Sequence, residues 1–110
     1  MFTALTEDSI IRQYLGGVMP ADIFSKQCIS KPGLYIVNSD ESNSLGTHWL
    51  LFYFSNEKMA YFFDSLGKYP EEYHQYFHSI LIQNSYGYSC SNIGIQPLRT
   101  KLFIFCLLAL

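Results

Sequence analysis

Two apolar runs set the terms for this chain. HWLLFYF (48–54) and MAYFFDS (59–65) are separated by four polar residues, SNEK. Each run is too short for a stable helix and is rich in the aromatic residues that favour strands. Joined by a polar link, they predict an antiparallel β-hairpin. Neither run alternates cleanly between apolar and polar residues, so both faces of the resulting sheet have to be covered. With Ser55–Lys58 as the turn, residues whose numbers sum to about 113 lie opposite one another.

The rest of the chain supplies the cover. TEDSIIRQYLGG reads as a short helix, capped by Thr6 or Asp8, with Ile10, Ile11, Tyr14 and Leu15 as its apolar stripe and Gly16-Gly17 as its stop. VMPADIFSKQCISKPG is irregular, punctuated by Pro20 and by Pro32-Gly33. LYIVN is a strand, SDESNSLGT a polar loop. PEEYHQYFHSILIQNS predicts a helix over 71–85, with Pro70 near its first turn, Glu71 and Glu72 at the positive end of the dipole, and Tyr73, Phe77, Ile80 and Leu81 as its core stripe. A strand is expected around 92–96, closed by Pro97, before the apolar ending TKLFIFCLLAL. The order predicts an α+β fold: a small central sheet flanked by helices, in one domain spanning 1–110. A chain of this length buries roughly two-thirds of its unfolded surface, enough for one core without staples.

Charge and cysteine usage exclude several function classes. The formal net charge is −2 and no block of Lys or Arg stands out, so no nucleic-acid partner is expected. Aromatic residues in the hairpin lack the interleaved basic residues that base stacking needs, and read as a packed sheet. Cys28, Cys90 and Cys106 are odd in number, widely spaced and without CxxC, which argues against a disulfide framework or a zinc site and for a reducing, intracellular compartment, cytoplasmic or nuclear. The N-terminus lacks the pattern of a signal peptide. The apolar ending is about half the ~20 residues of a spanning helix, so no membrane span is expected. His74 and His78 have metal-ligand spacing on a helix, but no third ligand accompanies them, and they read as a solvated face. No metal and no cofactor are expected.

The hairpin brings two chemistry-bearing residues together. At the expected pairing, His48 lies opposite position 65, within one residue of Asp64. Cross-strand neighbours have Cβ atoms about 5 Å apart, so the carboxylate reaches the imidazole. Such a pair fixes a tautomer and stabilises the imidazolium, as a general base in nucleophilic catalysis requires. A surface Asp–His pair without chemistry is the competing reading. Gln96, just before Pro97, offers a side-chain amide able to donate to a developing oxyanion.

Taken in order, GTHWLLFYF, YFFDSLG, IQPL and the following Phe-Cys run resemble the adenovirus protease (adenain) family and the wider clan of cysteine proteases that process ubiquitin-like modifiers. LYIVNSDESNSLGTHW and the opening helix with Gly-Gly are similar to that family as well, so the resemblance spans about residues 8 to 110. It implies an adenain-like fold, with His48 as general base, Asp64 as its orienter, Gln96 in the oxyanion hole and Trp49 beside the His, lining the substrate groove. It implies a polypeptide substrate or ubiquitin-like partner, and hints at a viral or mobile-element origin. The family's nucleophile is the first Cys of C-G-x-[FY]-C. Anchoring on Phe105-Cys106 places Leu102 at that position and Phe103 at the Gly.

Leucine has no lone pair with which to attack a carbonyl, and Phe103 adds bulk where backbone and substrate approach closely. Cys106, among Phe105, Leu107 and Leu108, reads as a buried, inert thiol. Three readings follow: a cysteine peptidase whose nucleophile has been lost from the sequence, a pseudo-protease that keeps the groove as a binding module, or a non-functional fragment. The stretch 102–110 is expected to be a catalytic-helix stump with one face in the core and the domain incomplete beyond it.

Overall fold

A computed structural model describes residues 13–41, 48–64 and 66–90 of the chain. The fold is α+β, built on a five-stranded mixed sheet of order β1-β2-β3-β4-β5. The strands are β1 (Leu15–Pro20), β2 (Gly33–Asn38), β3 (Trp49–Phe54), β4 (Met59–Phe63) and β5 (Gly87–Cys90). A short helix α1 (Ala21–Phe24) follows β1, and α2 (Gln75–Gln83) connects β4 to β5 after a 3-10 turn at Pro70–Glu72. β1 runs parallel to β2 and β5 parallel to β4, while β2, β3 and β4 are antiparallel neighbours.

The β3–β4 hairpin forms, one residue away from the expected register. Leu51 faces Phe63, Phe52 faces Phe62 and Phe54 faces Ala60, so paired numbers sum to 114. The cause is the turn. Ser55 N–H donates to the Met59 carbonyl at 2.8 Å, which leaves a three-residue loop in place of the four-residue SNEK link. Lys58 closes that loop at φ 67, the left-handed conformation that three-residue hairpin loops use.

Both sheet faces are buried, each by its own cluster. On one face Tyr35, Val37, Leu50, Phe52, Phe54, Ala60 and Phe62 pack with Phe24 of α1 and Phe77, Ile80 and Leu81 of α2. Phe52 is the hub, with ring centroids 4.6 Å from Phe24, 5.0 Å from Phe62 and 5.2 Å from Phe77. Burying each such ring stabilises the fold by roughly 1.5–3 kcal/mol. On the other face Leu34, Ile36, Leu51, Tyr53 and Phe63 pack with Tyr14, Leu15, Trp49 and Tyr61.

Two expectations need correction. The segment after Gly16-Gly17 was expected to be irregular, yet Leu15–Pro20 is an edge strand. Gly16 has a further reason beyond ending the helix: a Cβ there would lie 2.5 Å from the Tyr35 ring. The helix expected over 71–85 is broken. His74 is extended, at φ −149 and ψ 137, between the 3-10 turn and α2. β5 occupies Gly87–Cys90, in a segment with no strand expected; the strand expected around 92–96 lies outside the described residues. Of the opening helix, Gln13 and Tyr14 are described and helical. The apolar ending 102–110 also lies outside the described residues. Among the described residues, no helix is long and apolar enough to cross a membrane.

Candidate active site

Three strand ends meet at one margin of the sheet. Ser39 follows β2, His48 precedes β3 and Asp64 follows β4. Alternation along paired strands puts His48 and Asp64 on the same face as Leu50, Phe52 and Phe62, the face that α2 covers. They are diagonal neighbours: Asp64 continues the ladder opposite Leu50, and His48 lies two residues further on. His48 Nε2 is 2.5 Å from Asp64 Oδ1.

Asp64 is fully buried, while the His48 side chain keeps 22 % of its surface exposed. A buried carboxylate survives only when its lone pairs are satisfied. Oδ1 accepts the Leu66 N–H at 3.1 Å in addition to His48. Oδ2 accepts the Lys68 N–H at 3.1 Å and the Tyr73 hydroxyl at 2.6 Å. Burial pushes the Asp64 carboxyl upward, but the bonds from Tyr73, His48, Leu66 and Lys68 outweigh it and hold the group below the usual aspartate range. Tyr73 is pushed strongly the other way, by its own burial and by the adjacent Asp64 charge.

Because Asp64 is held ionised it only accepts, so His48 carries its proton on Nε2. Nδ1 is then the basic nitrogen. The Tyr73 ring lies nearly parallel to His48, with centroids 6.1 Å apart and an angle of 26°. Lys68 Nζ stands 5.6 Å from the Tyr73 ring centre on a cleft of about 560 Å³. Ser39, His48, Leu66, Tyr73 and His74 are among its lining residues. The arrangement is an oriented imidazole, backed by a buried anion and open to a cleft. It can take a proton from a nucleophile and bear the resulting charge.

Of the residues singled out from sequence, His48 and Asp64 come together. Trp49 does not join them: it packs with Leu34, Ile36 and Leu51 on the opposite face. It cannot flank the imidazole because successive strand residues point to opposite sides. Gln96 and Leu102 lie outside the described residues, as do Phe103 and Cys106. His74 and His78 do not share a helical face. His74 precedes α2 and donates from Nε2 to the Ser39 carbonyl at 2.8 Å, whereas His78 Nδ1 pairs with the Tyr88 hydroxyl at 2.7 Å. Among the described residues, no three His, Cys, Asp or Glu side chains form a metal-binding group.

Tyr73 is the site residue that sequence reasoning missed, having placed it in a core stripe. The usable signal was its hydroxyl, since a core-facing Tyr normally has a polar partner. Cys90, half-buried on β5, is no substitute nucleophile. Its thiol is pushed up by burial and by the Glu71 carboxylate, the reverse of activation.

No family model matches the chain, and no curated protein matches it.

Proposed function

We propose that the chain is a cysteine-peptidase-type domain of the adenain-like fold that retains the His48–Asp64 half of the apparatus and, with Leu102 at the nucleophile position, does not hydrolyse peptide bonds. In this form it binds a polypeptide segment or a ubiquitin-like partner in the cleft. The observation that carries the reading is the Asp64 carboxylate: fully buried, accepting four donors, with one of its oxygens on His48 Nε2. Burying an anion costs several kcal/mol, so a plain surface pair would leave it in water. An imidazole whose proton location is dictated and whose cation is stabilised is the expensive half of a thiol-activating site. Gln96 would donate to the oxyanion. The unpaired thiols of Cys28 and Cys90 suit an intracellular, reducing setting.

The test restores the missing half. In the Leu102→Cys/Phe103→Gly variant, a thiol-reactive peptide probe is expected to label position 102 at neutral pH, and His48→Ala to abolish that labelling. The unaltered chain should neither label at 102 nor turn over peptide. A folded double variant that stays unlabelled, or labelling that survives His48→Ala, overturns the reading.

A further inference from the structure

We infer that His74 is a positioning residue for His48, acting through the backbone of Ser39. The inference rests on the reading of His48 as a general base. It comes from two consecutive hydrogen bonds. Ser39 N–H donates to the His48 carbonyl at 2.7 Å, and the Ser39 carbonyl accepts the His74 Nε2–H at 2.8 Å. Ser39 is buried, one residue past β2, so its peptide groups depend on these partners. The first bond extends the β2–β3 ladder by one rung beyond Asn38 and Trp49. The second ties that rung to the segment leading into α2.

The His74 ring is itself held. It lies parallel to Tyr76, with centroids 4.7 Å apart and 12° between planes, and meets Phe77 edge-on at 5.1 Å and 88°. Its backbone is extended where a helix was expected. Tyr73 and His74, adjacent in the chain, therefore bond to two different strand ends: Tyr73 to Asp64 after β4, and His74 to Ser39 after β2. β3 lies between β2 and β4. His48, at the start of β3, is thus gripped by Asp64 at its imidazole and by Ser39 at its carbonyl, and one dipeptide braces both grips. Without the His74 donor the buried Ser39 carbonyl loses its partner, and the rung that holds His48 relaxes. Proton transfer tolerates little of this, because a displacement of about 1 Å can cost roughly a hundredfold in rate.

The test reads His48, not stability. His74→Phe keeps a ring and deletes the donor. His74→Gln offers an amide N–H near the Nε2 position. By NMR of the full chain, the His48 Nε2–H resonance, assigned with His48→Gln, is expected to broaden by exchange with water in His74→Phe and to recover in His74→Gln. In the Leu102→Cys/Phe103→Gly background, labelling should slow about tenfold or more with His74→Phe and stay within about threefold with His74→Gln. If His74→Phe fails to fold, His74→Asn, whose amide is too short to reach Ser39, takes its place with the same expectation. An unchanged His48 resonance in a folded donor-less variant overturns the positioning role. The resonance needs no introduced nucleophile, so absent labelling with His74 intact counts against the peptidase reading alone.

Discussion

Asp64 Oδ1 lies 2.5 Å from His48 Nε2, across a hairpin in which the two residues are diagonal, not direct, partners. The pair forms because both residues sit one step outside their strands, where the ladder ends and side chains are free to converge. The Leu66 and Lys68 N–H groups and the Tyr73 hydroxyl converge on the same carboxylate.

Replacing Asp64 with Asn is therefore expected to be costly. The amide offers one acceptor oxygen where the carboxylate offers two, so at least one of the donors His48, Leu66, Lys68 and Tyr73 is left unpaired. Urea unfolding of Asp64→Asn should show a loss of about 2–4 kcal/mol. A loss under about 0.5 kcal/mol would mean that the buried anion does not hold these donors in place.

Tyr73→Phe isolates one of those donors. Deleting a hydroxyl that donates to a buried carboxylate costs about 1.5–3 kcal/mol. It also removes the first of the bonds that hold Asp64 low, so the acid-unfolding midpoint should move to higher pH. A midpoint that stays put, read by fluorescence of Trp49, would count against the Tyr73–Asp64 bond.

The pH dependence follows from opposite shifts. The folded pKa of Asp64 lies below its unfolded value near 3.9. Its contribution is full above that value and is lost as pH falls through the folded pKa. Tyr73 and Tyr76 are raised, Tyr76 to about 12, in both cases first by burial. Their contribution is full below the unfolded value near 10 and is lost as pH rises toward the folded values. Asp64 should thus make denaturant midpoints fall as pH drops below about 3.9, and the two tyrosines should make them fall as pH rises above about 10. Tyrosinate absorbance should lag behind that of the unfolded chain on the alkaline side; titration of all tyrosines near 10 in the folded protein would contradict this.

Gly16 tests the edge strand. A Cβ there meets the buried Tyr35 ring, whose hydroxyl accepts the Ser30 N–H at 2.9 Å and cannot easily yield. Gly16→Ala should cost about 1–3 kcal/mol, as overpacked sites do. A neutral result by thermal unfolding would show that β1 can move away from β2.

What the sequence determined by itself is the local part: the HWLLFYF–MAYFFDS hairpin, its two buried faces, the strand at 34–38 and the approach of His48 to Asp64. Run length, apolar pattern and a polar link encode these, and none depends on a distant residue. The tertiary structure decided the rest. Lys58 at positive φ moved the register by one. Contact with Tyr35 gives a further reason for the glycine that read as a helix stop. Tyr73 and His74 left the helix to bond Asp64 and Ser39, and Trp49 went to the opposite face once alternation was set by the paired strands. Each of these outcomes depends on a partner far along the chain or on the closure of a turn. Periodicity within a segment carries no information about either.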